Sequence, residues 1–317
     1  MKTAKNYFLV IAVISISASL LAGCPSPKNK APKNSESVGS GKEHPPFSNS
    51  EPIRIAFVPS VETGGIELQL KEFEDELSWK ISRKVEAKVV LSYAACIEQM
   101  AAGHFEIAML PPLAYVLAND RYGVHVALKA VRNGSPTYRG EIITRVDSGI
   151  KTLEDLKGRT FGFTDSASTS GFLYPKTLLM VNGIDLDKDL KEYTMVGDHS
   201  AVVRAVLNGR VDAGACFDDA RKNLLNSEPE VMDKIVPIAY TADIPADTVS
   251  YRKDCTGDFY DLVTSALLHM TESGKDSVLY KIYGIEALVP AQDSDYDPIR
   301  EMVKTLNLDI EQEIDKK

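Results

Sequence analysis

Cysteine, tryptophan and positive charge are what this chain has least of. Its 317 residues include 4 cysteines and 1 tryptophan. So few cysteines cannot frame a fold with disulfides, and their spacing matches no metal-ligand pattern. Acidic residues outnumber basic ones 45 to 36, a net charge of −9. That balance excludes a nucleic-acid surface, which needs clustered Lys and Arg. The Gly-x-Ser-x-Gly elbow of a serine hydrolase is absent. What is present is ordinary globular composition, 44% hydrophobic and 26% charged, long enough for about two domains.

The first residues carry an address rather than a fold. Lys2 and Lys5 precede an apolar stretch from Phe8 to Leu21 that is too short to span a bilayer. Leu21-Ala22-Gly23-Cys24 resembles a bacterial lipobox. The resemblance implies a lipoprotein signal peptide over 1–23, cleavage before Cys24, and diacylglycerol on that residue. Removing 1–23 takes away two lysines and no acid, moving the charge from −9 to −11. Residues 24–51 are rich in Pro, Lys, Asn, Ser and Gly, and read as a flexible tether in which His44 is incidental. Cys96, Cys216 and Cys255 then form an odd set. No essential disulfide is expected, and Cys96 and Cys216 have the apolar settings of core residues.

From Ile53 onward strands and helices alternate. Strands are expected at 53–58, 87–91, 105–110 and 124–131, with helices from Gly64-Gly65 to Ile81, over 93–102 and over 113–121. Leu68, Phe73, Leu77 and Ile81 are expected on one helix face, with Trp79 as packing. The pattern restarts after Gly140, with strands at 141–144, 160–163, 193–196, 211–216, 235–240 and 248–251 and a helix over 199–207. The alternation predicts an α/β fold with mainly parallel sheets. The helical tail has few strands of its own and must return to the first unit. A two-lobed clamp follows, with 52–140 and 244–317 as lobe 1 and 141–243 as lobe 2. The crossings fall near Tyr138–Ile142 and Tyr240–Asp247, and ligands in such sheets lie beyond the carboxyl ends of strands.

One stretch stands out chemically. Ser168, Thr169, Ser170 and Gly171 lie where strand 160–163 hands over to a helix. Backbone N–H groups there lack helical partners, the helix dipole is positive, and the hydroxyls add donors. This is a site for an anion, and a tetrahedral oxyanion fits it. Gly171 is expected to let a ligand approach the backbone, and Pro175 either to open the regular helix or to kink one begun at Ser168.

Those residues, with Ser92-Tyr93-Ala94, Pro111-Pro112-Leu113-Ala114-Tyr115, Tyr138-Arg139-Gly140, Leu153-Glu154-Asp155-Leu156-Lys157-Gly158, His199, Val211-Asp212-Ala213-Gly214 and Ile244-Pro245, resemble the phosphate/phosphite/phosphonate substrate-binding proteins of ABC transporters. The resemblance implies a type II periplasmic-binding-protein fold with a cleft between two lobes, and no enzymatic activity. Ser168, Thr169 and Ser170 would hold the oxyanion. Tyr93 and Tyr138 would add phenolic donors from the opposite lobe, and His199 would line the second. Asp218 and Asp247 match carboxylates able to face a ligand amine, with Asp219 as the alternative to Asp218. The implied partners are a small phosphorus-oxyanion ligand and an ABC permease. The chain would act as an extracytoplasmic, lipid-anchored monomer without metal or cofactor. If Asp218 and Asp247 reach the pocket, the ligand should bring a cation, as an aminoalkylphosphonate does. If they do not, phosphate, phosphite or a small alkylphosphonate fits as well. The competing readings are a binding lipoprotein for thiamine or its phosphates, which needs an aromatic clamp, a hydrolase built on Ser170, His199 and Asp218, and an adhesive surface lipoprotein.

Overall fold

The computed structural model describes residues 51–60 and 66–305. The expected signal peptide, nearly all of the tether, Cys24 and the Gly64-Gly65 helix start lie outside them. In chain order the elements are β1 (Ile53–Phe57), α1 (Glu67–Ile81), β2 (Val85–Val89), α2 (Tyr93–Ala101), β3 (Ile107–Leu110), α3 (Pro112–Tyr122), β4 (His125–Val131), β5 (Thr137–Tyr138) and β6 (Gly140–Arg145). Then come β7 (Thr160–Phe163), a wide turn over Thr169–Leu173, α4 (Tyr174–Val181), α5 (Leu186–Asp189), β8 (Glu192–Met195), α6 (His199–Leu207), β9 (Ala213–Phe217), α7 (Val231–Lys234) and β10 (Ile235–Tyr240). Last are β11 (Ile244–Pro245), β12 (Thr248–Tyr251), α8 (Asp258–Met270), α9 (Val278–Tyr283), β13 (Ala287–Pro290) and α10 (Asp297–Thr305).

The first sheet runs β13-β4-β12-β3-β1-β2, and the second β10-β6-β9-β7-β8. Period-2 alternation explains why helices cover both faces of the first. Ile53, Ile55 and Phe57 of β1 point into one core with α1, α8 and α9. Ala56 and the following Val58 point into another with α2 and α3. Neither sheet is mainly parallel. β1 is parallel to β2 and β3, but β12 runs antiparallel between β3 and β4. In the second sheet β7 is parallel to β8 and β9, while β6 is antiparallel to β9 and β10. The cause is the returning chain, because β12 enters the first sheet from the second lobe rather than through a local crossover. β13 joins the same sheet and has no counterpart among the expected strands.

The two connecting segments pair with each other. Ile244 lies opposite Tyr138 and Pro245 opposite Thr137 in an antiparallel ladder of their own. Gly140 N–H donates to Thr241 Oγ1 at 2.9 Å, and Thr241 N–H returns a bond to Gly140 O at 2.9 Å. A Cβ at Gly140 would lie 2.6 Å from the Ser170 carbonyl oxygen, so the hinge strand touches the hydroxyl turn directly.

Two side chains on α1 depart from expectation. Leu70, Phe73, Leu77 and Ile81 are its buried stripe, and Leu68 is 75% exposed. Leu68 lies five residues from Phe73, which at 100° per residue puts it well around the helix. Trp79 is 80% exposed and does not pack in the core. Cys96, Cys216 and Cys255 are buried free thiols.

Candidate ligand-binding site

The hydroxyl turn begins on extended backbone at Ser168, whose Oγ accepts from Gly171 N–H at 3.1 Å. Leu173 N–H reaches back to Ser168 O at 3.1 Å and Tyr174 N–H to Thr169 O, both five-residue steps. The regular helix starts only at Tyr174, with Pro175 in its first turn. Proline has no N–H to give to Gly171. The Gly171 carbonyl accepts from Thr164 N–H at 3.2 Å instead. The wide turn therefore has a local cause, and it leaves Thr169 and Ser170 ahead of the first internal bond, where N–H groups face outward.

Gly171 has a different purpose from the one expected. A Cβ there would lie 2.0 Å from Thr164 Oγ1, so glycine makes room for a threonine side chain rather than for a ligand. That Oγ1 is fully buried without a protein partner.

The opposite wall comes from the first lobe. Tyr93 opens α2 behind the N-cap Ser92, whose Oγ accepts from Ala95 N–H at 3.1 Å. Burial holds the Tyr93 phenol well above its ordinary pKa, and the Asp165 and Asp247 carboxylates add to this. Burial does the same for Tyr138, reinforced by Asp247 and opposed by the Ser170 and Thr169 hydroxyls beside it. Tyr138 thus meets the hydroxyl turn across the cleft.

Thr169 bridges the lobes in a second way. Helix α3 follows Pro111 and has no side-chain cap of its own. Its Leu113 N–H donates to Thr169 Oγ1 at 2.8 Å. A helix of one lobe is capped by a hydroxyl of the other, which leaves the Thr169 proton to point elsewhere. His199 N–H also donates across the cleft, to Ser60 O at 3.2 Å.

The His199 side chain is buried, and burial lowers its pKa to about 3. Its Nδ1 accepts from Phe217 N–H at 3.0 Å, so the neutral ring carries its proton on Nε2 and can donate there. Asp198 caps α6 through Ala201 N–H at 2.8 Å. No triad is assembled, because a backbone N–H, not Asp218, orients the imidazole.

The aspartates arrive with partners. Asp247 Oδ2 lies 2.9 Å from Arg132 Nη2. Asp218 Oδ1 accepts from Arg139 N–H at 3.3 Å, and its Oδ2 lies 3.6 Å from Arg139 Nε. Asp219 adopts positive φ and pairs with Lys222 at 2.7 Å.

Sequence reasoning missed two carboxylates. Asp165 stands at the same strand–helix junction. Burial raises its pKa against the Ala167 and Tyr93 N–H groups that face it, and Ala167 N–H donates to Oδ1 at 2.8 Å. Its place beside Ser166 in the junction loop was the available signal. Glu141 on β6 is fully buried, 3.5 Å from Arg221 Nε, and burial lifts it to about 7. Glu141 Oε2 and Arg221 Nε have no hydrogen-bond partner in the protein, although Nε stays within ion-pair reach of Glu141 Oε1. An acid among β6's apolar neighbours was visible in the sequence, but its arginine, 80 residues away, was not.

Two α/β lobes joined by paired crossings, with phenols facing a hydroxyl-bearing helix turn, define a type II binding protein. The likeness to known proteins extends this. The family of ABC-transporter phosphonate periplasmic substrate-binding proteins matches residues 55–296. The chain belongs to that family, and it is a substrate-binding protein rather than an enzyme. It is 27% identical over 236 residues to the phosphate-import protein PhnD of Mycolicibacterium smegmatis, covering 70% of this chain and 73% of that protein. It is 28% identical over 239 residues to the phosphonates-binding periplasmic protein of Escherichia coli, covering 74% and 70%. The structure of PhnD1 from Prochlorococcus marinus in complex with methylphosphonate superposes with a TM-score of 0.72 at 19% identity, over 82% of this chain and 99% of that one.

Proposed function

We propose that this chain is the lipid-anchored, extracytoplasmic receptor of an ABC importer, and that it captures a phosphorus oxyanion (phosphonate, phosphite or phosphate) between its lobes. The observation that carries the reading is the turn at Ser168, Thr169 and Ser170, with helix N-terminal N–H groups on one side and the Tyr138 phenol on the other. Neutral donors of this kind hold a tetrahedral anion without a fixed counter-charge, which favours release to a permease. Tyr93 and the Nε2–H of His199 add donors of the same sort. The lobes move as 52–140 with 244–317 against 141–243, about the paired crossings. Cys24 supplies the anchor, and the chain works as a monomer.

The test is a melting-temperature series on the full chain in detergent with phosphate, phosphite, methylphosphonate, 2-aminoethylphosphonate and thiamine. A ligand bound only by the folded protein raises the melting temperature with its concentration. A rise with at least one phosphorus oxyanion, and none with thiamine, is expected. No rise with any of the four phosphorus compounds refutes the reading. Replacing Cys24 by Ser should move the chain from the membrane to the soluble fraction.

A further inference from the structure

We infer that Arg132 sets the substrate class, by acting as the built-in counter-cation of Asp247 at the cleft, with the more exposed Arg139 serving Asp218 in the same way, so that the site takes phosphorus oxyanions carrying no amine. The inference rests on the oxyanion reading above and narrows it.

Arg132 is held at two points. Its Nη2 lies 2.9 Å from Asp247 Oδ2, and its Nε donates to Tyr283 O at 2.9 Å. Tyr283 is itself fixed by its hydroxyl, which donates to Val58 O at 2.6 Å at the end of β1. Both charged side chains of the pair are about three-quarters buried, at 26% and 27% exposure. The pair lies beside the crossing strands, since Asp247 follows Pro245 by two residues and that ladder sets Ile244 opposite Tyr138; the Asp247 charge accordingly acts on the phenols of Tyr93 and Tyr138.

Arg139 follows Tyr138 directly in the chain. Its guanidinium stacks 4.4 Å from the Tyr240 ring centroid, and its Nε lies 3.6 Å from Asp218 Oδ2. Asp218 is bound to the same strand end by two backbone links, its N–H to Arg139 O at 2.9 Å and its Oδ1 to Arg139 N–H at 3.3 Å. Asp165 accepts from Ala167 N–H and faces that of Tyr93. Asp219 is paired with Lys222.

An ammonium needs an ionised carboxylate whose charge is not already met. Here it would stand beside a guanidinium, repelled at close range in a partly desolvated site. An amine placed beside Asp247 or Asp218 would lose water and gain no unmet counter-charge there, so these paired aspartates select against it. The oxyanion end is untouched by this, since hydroxyls, phenols, N–H groups and a neutral imidazole hold it.

The test compares n-propylphosphonate with its near-isostere 2-aminoethylphosphonate by titration calorimetry on the full chain, with methylphosphonate as reference. The wild-type chain should bind propylphosphonate at least tenfold tighter than the amine. Arg132→Met should narrow that ratio at least tenfold, Arg132→Lys should keep it, and Arg139→Met should shift it in the same direction as Arg132→Met. Asp247→Asn leaves Arg132 uncompensated and should widen the ratio, which keeps the inference testable if Arg132→Met fails to fold. A wild-type preference for 2-aminoethylphosphonate overturns the inference alone. So does an unchanged ratio in an Arg132→Met chain that still binds methylphosphonate. Failure of every phosphorus compound to bind the wild-type chain overturns the oxyanion reading, and this inference falls with it.

Discussion

Thr169 is asked to do two things with one hydroxyl. Its oxygen accepts from Leu113 N–H in the other lobe, which leaves its proton free to be donated elsewhere. In the proposed complex a donor chain of this kind would pass the polarity of α3 to the oxyanion. Thr169→Val keeps the volume and strands a buried N–H, a cost of about 1–3 kcal/mol to the closed state. We expect a tenfold or greater loss of oxyanion affinity and faster amide exchange at Leu113, with Thr169→Ser restoring most of both. His199 makes the complementary case for a neutral donor. Its pKa of about 3 lies below the ordinary 6.5, so the unfolded chain binds a proton in that window and the native one does not. Its contribution to stability is complete above about 6.5 and is lost as pH falls toward 3. Oxyanion affinity should therefore show no His199 step between pH 5 and 8, and nitrogen NMR should show a neutral Nε2–H ring at pH 5. A protonated ring at pH 6 would contradict this.

At the scale of elements, the wide turn depends on a chain of local choices. Pro175 withholds an N–H, the Gly171 carbonyl turns to Thr164, and Thr164 fills the space a Cβ would need. Gly171→Ala forces that Cβ into Thr164 and should lower stability by about 1–3 kcal/mol, the usual range for overpacking. A chemical melt of Gly171→Ala, Thr164→Ala and the double variant checks this. The double variant should recover much of the loss, because the clash is pairwise. Much at this scale was legible. Strand 160–163, helix 199–207 and strand 235–240 match the sequence reading, since periodicity and caps are local signals. The failures were non-local. Leu68 was expected on the apolar face of α1 and Trp79 in packing, yet the helix face they share meets solvent. β13 escaped notice because Ala287–Pro290 becomes a strand only by pairing with β4.

For the whole molecule, pH dependence should be shaped by Glu141 as well as His199. Burial holds Glu141 at about 7, above its ordinary 4.5, so between those values the native state keeps a proton that the unfolded chain has lost. Its effect therefore lowers stability as pH rises from 4.5 to 7, opposite in sign to the histidine. Glu141→Gln should remove this opposing contribution, so that stability rises more steeply with pH across this range in denaturant melts, and an unchanged slope would refute the assignment. The candidate site divides in the same manner as the fold. The position of the hydroxyl trio at a strand–helix junction was readable, because it lies in consecutive residues. The neutralisation of Asp247 by Arg132 and of Asp218 by Arg139 was not, because each partner is recruited across a long sequence separation. The sequence by itself determined the alternating α/β elements, the return of the tail to the first sheet and the hydroxyl-bearing strand–helix junction, all of which follow from local pattern and short-range sterics. Only the tertiary structure decided the mixed strand directions, the cross-lobe cap on α3 and the charge state of the cleft, because those depend on which distant segments the folded chain brings together.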